Sequence, residues 1–152
     1  MRITATGIMA AVLASLVGCN QSPAERANQS PAERADELRA RCARDARAVA
    51  VEYEARNRQI WPDSVTTFTS HYNVRDQRCY AKLVRVMPPL GQAQYYLIDV
   101  DENLEIGNFS EDTSRCRVAE RPGPAAYEAP HGYRKCASSD EFEALVKPYM
   151  EQ

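Results

Sequence analysis

The sequence predicts an α+β domain with an antiparallel sheet of four to five strands, a long N-terminal helix and a short C-terminal helix, stapled by disulfides. Three observations indicate this class. Apolar residues recur at helical spacing before residue 60, alternate with polar residues after residue 65, and return to helical spacing after residue 138. We expect one domain over residues 36–152.

The long helix is predicted from Pro31 to about Asn57. Its segment is rich in Ala, Arg and Glu and contains no Gly. Ser30 is a favourable N-cap, and proline is tolerated at the first helical position. We expect the helix to stop at Trp61, because a residue before proline avoids the helical region. One apolar stripe, with spacings of three, four or seven, should face the core: Leu38, Cys42, Ala46, Val49, Tyr53 and Ile60.

The middle of the chain is predicted to be a run of strands. Its composition is rich in Thr and aromatic residues, and apolar residues alternate with polar ones. Turns are expected at residues 88–91 and 101–103, and residues 121–131 should form a loop. The short connections imply an antiparallel meander. The predicted strands are 65–72, 79–86, 94–100, 104–109 and, fifth, 115–119.

The C-terminal helix is predicted from a capping box, with Ser138 as the cap and Glu141 at the third helical position. Its apolar face comprises Phe142, Leu145, Val146, Tyr149 and Met150. Pro148 should kink the helix or end it before the last turn. We expect the long helix to cover one face of the sheet, a face that the two helices can share.

The N-terminal segment has the parts of an export signal: basic Arg2, an apolar run over residues 8–17, and a small residue before a cysteine. Leu16-Val17-Gly18-Cys19 resembles the lipobox of bacterial lipoproteins. This resemblance implies removal of the signal peptide, residues 1–18, and attachment of lipid such as palmitate to Cys19. Asn20 is not the Asp associated with inner-membrane retention in enteric bacteria. The expected location is therefore the outer membrane, with the protein lipid-anchored and facing the periplasm.

Residues 20–27 and 28–35 have identical sequences. Two copies are too few for a solenoid. We interpret residues 19–35 as a tether between the lipid and the domain. The lipid is the expected membrane contact, because no later apolar run approaches the length of a bilayer span.

The composition excludes nucleic acid as a partner. The chain carries a net charge of −2, whereas nucleic-acid binding calls for a clustered basic excess. No cofactor is predicted.

The chain contains five cysteines. With Cys19 assigned to lipid, Cys42, Cys79, Cys116 and Cys136 remain. In an exported small domain an even set indicates two disulfides, and three connectivities are open. Zinc is the rival interpretation, but no Cys-x-x-Cys pair is present.

Candidate chemistry is sparse. Residues 99–105 place oxygen ligands at alternate positions, as a calcium loop does, but Leu104 stands where that loop requires Gly, so a hairpin turn is favoured. The histidines His71 and His131 could serve a hydrolase with Asp99 or Asp101, yet no hydrolase or phosphate-loop motif accompanies them. We predict a protein that is not an enzyme. The best candidate binding surface comprises His71, Tyr72 and Tyr95 on the strands.

Several segments resemble a group of small, uncharacterised bacterial exported proteins and lipoproteins. These segments are Ser70-His71-Tyr72-Asn73, followed six residues later by Cys79, and then Leu97-x-Asp99-x-x-Glu102, Cys116-x-Val118, Cys136-x-Ser138-x-x-Glu141-Phe142-x-x-Leu145 and Tyr149-Met150-Glu151. The match covers about half of the mature chain. It implies that Cys116 pairs with Cys136, which leaves Cys42 for Cys79. The resemblance assigns no ligand and no catalytic residue.

The resulting hypothesis is a non-catalytic, lipid-anchored periplasmic module that binds an envelope protein or a toxin, as inhibitor and immunity proteins do. One alternative is a structural accessory of an envelope or secretion complex, which genomic neighbours would reveal. The other is a small hydrolase, which would lose its activity if His71 were replaced by Ala.

Overall fold

The computed structural model describes residues 29–113, 115–119 and 133–151. The predicted lipidation site Cys19 and the first copy of the repeat lie outside these residues, as does His131. The elements are α1 (Pro31–Arg58), β1 (Val65–Asn73), β2 (Arg78–Met87), a short 3-10 helix (Pro88–Leu90), β3 (Gln92–Asp99), β4 (Leu104–Ser110), β5 (Arg115–Ala119), β6 (Tyr133–Arg134) and α2 (Ser139–Met150).

The strands form one sheet in the order β1-β2-β3-β4-β5-β6. Each strand pairs antiparallel with the next along the chain, which confirms the α+β class and the predicted meander. In the described part of the chain, the sheet has six strands, one more than the upper number predicted. The extra strand, β6, has only two residues, too few to show a sequence period.

The two helices cover opposite faces of the sheet, so the expectation that they can share one face is wrong. In β2, Cys79 and Ala81 pack in one core with residues of α1. Tyr80, which lies between them, packs in a second core with Phe142 and Val146 of α2. Side chains alternate between the faces of a strand. Consecutive buried residues in β2 therefore require a cover on both sides.

α1 lies close to its face of the sheet because it presents small residues there. Ala46 and Ala50 are buried. Cys42 forms a disulfide with Cys79 on β2, with 5.3 Å between the Cα atoms and 37 residues of sequence separation. The disulfide links the helix covalently to the sheet.

The C-terminal end of α1 departs from the prediction. The helix ends at Arg58, and the Asn57 side-chain amide donates to the Tyr53 carbonyl at 2.7 Å. Ile60 was predicted to face the core, but it follows the helix and is 70% exposed. The apolar stripe of α1 therefore stops before Ile60.

Arg85 of β2 lies beneath this end of α1 and is only 6% exposed. Its guanidinium donates to the side-chain oxygens of Asn57 and Gln94 and to the Tyr96 hydroxyl at 3.3 Å. These partners are neutral, and the negative end of the helix dipole supplies a favourable field for the buried cation. Arg85 thus anchors the end of α1 on the sheet.

The start of α2 confirms Ser138 as a helix cap. The Ser138 hydroxyl accepts from the Glu141 N–H at 3.2 Å, and the Glu141 carboxylate accepts from the Ala137 N–H at 2.7 Å. At the other end, α2 continues through Pro148 to Met150, so the helix does not end before its last turn. The Asn73 amide donates to the Pro148 carbonyl at 2.9 Å, which holds the last turn against β1.

The second disulfide joins Cys116 of β5 to Cys136, just before α2, with 5.0 Å between the Cα atoms. Together with Cys42–Cys79, these are the two pairs that the resemblance implied. On the α2 side of the sheet, the rings of Tyr80 and Tyr149 meet edge to face at 5.2 Å.

Candidate binding surface

The three residues predicted as a binding surface, His71, Tyr72 and Tyr95, do not form one surface. His71 and Tyr72 are neighbours on β1, so their side chains point to opposite faces of the sheet. Tyr72 packs against the core under α1, whereas His71 lines a groove beside α2. Tyr95 is on the α2 side, where its ring lies 6.0 Å from that of Phe142. The Tyr95 side chain is therefore partly buried against the core.

β1 is an edge strand of the sheet, and no described strand pairs with its outer side. Its nine residues include no Lys, Arg, Asp, Glu or Pro. Its register with β2 runs from Val65 to Asn73 without a bulge. Edge strands in soluble proteins are usually short or protected by charges, prolines or bulges. β1 lacks all of these protections, whereas β6 at the other edge is protected by its length of two residues.

A groove runs between β1 and α2, and we call it the α2 groove. Its volume is about 540 Å³. Three of its lining residues are apolar: Ala144 is exposed, Met150 is half-buried and Val146 is 1% exposed. The full lining comprises Thr69, Ser70, His71, Lys82, Glu143, Ala144, Val146, Lys147, Met150 and Glu151.

The charges of the α2 groove pair with one another. The Lys82 ammonium lies 2.8 Å from the Glu143 carboxylate. The Lys147 ammonium lies 3.5 Å from the Glu151 carboxylate. The groove lining therefore combines apolar residues with acidic and basic groups that balance.

A second surface feature is a set of exposed apolar residues at the end of the sheet where α1 terminates, which we call the apolar end. Its members are between 41% and 70% exposed: Ile60, Trp61, Val65, Val86 and Leu90. Val65 and Val86 are cross-strand partners. Ile60 and Trp61 lie in the α1–β1 connection, and Leu90 lies in the β2–β3 connection at the same end.

The apolar end was not predicted from the sequence. Ile60 was assigned to the core and Trp61 only to the end of the helix. The available signal was the position of these two large apolar residues in a connection immediately before Pro62.

A third feature, which we call the charged cleft, lies at the opposite end of the sheet. It has a volume of about 410 Å³ and is bounded by α1 and by the β1–β2 and β3–β4 turns. Its lining comprises Leu38, Arg41, Cys42, Asp45, Tyr72, Asp76, Gln77, Arg78, Cys79, Asp101 and Glu102.

The carboxylates near the charged cleft have structural partners. Asp99 is fully buried and receives a hydrogen bond of 2.5 Å from Arg78. Burial raises the pKa of Asp99 above its ordinary value, although the neighbouring Arg78 guanidinium opposes the shift. Asp101 accepts from the Cys79 N–H at 2.8 Å.

The segment that resembled a calcium loop forms the β3–β4 hairpin turn, as the favoured interpretation predicted. The Asn103 N–H donates to the Val100 carbonyl at 3.3 Å, and Asn103 has a positive φ of 49°. Within residues 29–113, 115–119 and 133–151, no group of three or more His, Cys, Asp and Glu side chains is arranged to hold a metal ion. Nor is any helix in these ranges both long and apolar enough to cross a bilayer.

Comparison with known proteins finds no protein family model, no curated protein and no solved structure that matches this chain. Functional inference therefore rests on the residues and their geometry.

Proposed function

We propose that this chain is a non-catalytic, lipid-anchored module of the bacterial envelope that binds another protein through its apolar end. The observation that carries the binding role is the grouping of Ile60, Trp61, Val65, Val86 and Leu90, all exposed, at one end of the sheet. Single exposed apolar residues are common on monomers, but a group of them is typical of interaction sites. Tryptophan is also among the residues that most often dominate binding energy.

The shape of the domain supports a role in recognition. Two disulfides and two helices brace the sheet on both faces, so the apolar end is carried by a rigid scaffold. A pre-formed surface loses little conformational entropy when it binds. Inhibitor and immunity proteins are the concrete version of this proposal.

The binding role is tested by affinity capture from a detergent-solubilised envelope. The bait is the native chain, compared with Trp61→Ala and with Val74→Ala as a matched control. Val74 is also an exposed apolar residue, at 55%, but it lies in the β1–β2 turn at the other end of the sheet. We expect Trp61→Ala to weaken capture of a defined partner at least tenfold and Val74→Ala to leave it unchanged. Equal capture by all three, or repeated capture of nothing by the native chain, contradicts the proposal.

The anchor is tested separately by metabolic labelling with palmitate. Since the proposal assigns the lipid to Cys19, a Cys19→Ala chain should not be labelled and should leave the membrane fraction. Undiminished labelling of Cys19→Ala would remove the anchor from the proposal without affecting the apolar end.

A further inference from the structure

We infer that the outer edge of β1 and the α2 groove together form a docking site for an extended segment of a partner protein. The segment adds to the sheet as a further strand and places one apolar side chain in the groove. This inference rests on the proposed binding role and specifies how the partner is held.

The outer side of β1 is not paired with any strand in the described part of the chain. In a two-sided pairing, each strand uses the N–H and C=O groups of alternate residues on each side. β1 uses one side for β2 over nine consecutive pairs, from Val65 to Asn73, while no described strand occupies the other side. The outward groups of β1 are thus a template for another strand, and the uncharged sequence of β1 does nothing to repel one.

Side chains of β1 border the α2 groove. Thr69 and His71 point toward the α2 side of the sheet and line the groove with α2. In a strand added beside β1, every second side chain points to that same side. One of them, placed opposite residues 69–71, enters the α2 groove. Added strands gain affinity from main-chain hydrogen bonds and specificity from pockets for alternate side chains.

The lining of the groove determines the chemistry of the occupant. Its apolar residues are Ala144, Val146 and Met150, and its acidic and basic side chains are already paired. An unpaired charge would be desolvated there at a cost, whereas an apolar side chain gains from burial. The segment is therefore uncharged around its centre and carries a residue such as Leu or Met at the groove position.

A second copy of this chain does not fit these requirements. If two β1 strands paired antiparallel over all nine residues, Thr67, Thr69 and His71 of the second copy would lie beside the groove, and Val65 would lie at the end of the pairing, away from it. The side chains beside the groove would then be polar and would leave its apolar lining without an apolar contact. The other sheet edge, β6, has only two residues to offer. The occupant is thus a segment of a different protein.

The two surfaces of the molecule are connected along β1. Val65 of the apolar end and His71 of the groove stand at positions six residues apart on this strand, a distance of about 20 Å. A segment of nine residues, paired along the whole of β1 with its central residue opposite Thr69, reaches both, so one extended partner strand can contact the apolar end and fill the groove.

The test measures fluorescence anisotropy of a labelled, terminally blocked seven-residue peptide of alternating Thr and apolar residues with Leu at its centre. The protein is the full chain in detergent. We expect saturable binding that weakens at least tenfold when the central Leu is replaced by Asp, and at least tenfold when alternate backbone nitrogens are methylated. No saturable binding, or equal binding of all three peptides, overturns the inference.

Two variants locate the peptide. Ala144→Phe fills the groove from an exposed position on α2, and Thr69→Lys places a charge on the edge strand. Each should weaken binding of the Leu peptide at least tenfold. Ala40→Phe on α1 and Thr113→Lys in the β4–β5 turn are the matched controls, both at exposed positions away from the groove, and should leave binding unchanged. Circular dichroism verifies that each variant is folded.

The outcomes separate this inference from the proposed function. If the envelope partner is lost with Trp61→Ala but retained with both Ala144→Phe and Thr69→Lys, the strand-docking mode is wrong and the binding role stands. If no partner is found, the binding role itself fails. If the native chain sediments as a dimer that Thr69→Lys dissociates, the occupant of the edge is a second copy, which contradicts our assignment.

Discussion

Removal of the disulfide between Cys42 and Cys79 should destabilise the domain strongly, because this bond cross-links α1 to β2 and restricts the unfolded chain. The two cysteines are separated by 37 residues, and those of Cys116–Cys136 by 20. In the chain-entropy model, loops of these lengths contribute about 3.8 and about 3.3 kcal/mol, respectively, at 25 °C. The double substitution Cys42→Ala/Cys79→Ala should therefore lower the free energy of unfolding by about 3–4 kcal/mol.

The assay is urea unfolding at 25 °C, followed by circular dichroism at 222 nm. Non-reducing peptide mapping of the native chain first verifies both pairings. The Cys116→Ala/Cys136→Ala chain is the matched control and should lose nearly as much stability, about 3 kcal/mol. A loss below about 1 kcal/mol in a folded Cys42→Ala/Cys79→Ala chain would refute the view that this crosslink restricts the unfolded ensemble.

Three further perturbations probe the α2 side and the buried charge. Phe142→Ala removes a fully buried ring and should cost about 3–5 kcal/mol in urea unfolding. Ser138→Ala removes the hydroxyl that accepts from the Glu141 N–H and should cost about 1 kcal/mol by the same measurement, with little change if the cap is dispensable. Burial raises the pKa of Asp99 above 3.8 in the folded state, so the folded chain holds this proton more tightly than the unfolded chain does. The contribution of Asp99 to stability is therefore present below pH 3.8 and is lost as pH rises through the raised pKa. The stability of the native chain relative to Asp99→Asn should fall as the pH rises above 3.8; a relative stability that rises instead would contradict the direction of the shift.

Local patterns in the sequence were sufficient to predict the strands and the start of the C-terminal helix. The predicted bounds of β5, residues 115–119, agree with the structure, and those of the other four predicted strands differ by at most two residues. Ser138 was identified as a cap because capping depends on residues within one turn. Such features need no knowledge of distant contacts.

The placement of the helices could not be predicted in the same way. Periodicity shows which residues are buried but not which element covers them. The buried sequence Cys79-Tyr80-Ala81 in β2 carried a signal for two covered faces, which the interpretation of a shared face missed. The α2 groove could not be predicted for the same reason, because it depends on contacts between residues that are distant in the sequence. The α2 groove exists because α2 returns to β1, where Asn73 meets Pro148 across 75 residues of sequence.

The length of α1 determines the distance between Pro31, where the helix begins, and the apolar end. Leu38 near the start of α1 borders the charged cleft, together with Gln77 and Asp101 of the two hairpin turns. Asn57, near the last residue of α1, accepts a hydrogen bond from Arg85 close to the apolar end. A helix of 28 residues is about 42 Å long. Whatever precedes Pro31 therefore joins the helix at the far end from Trp61.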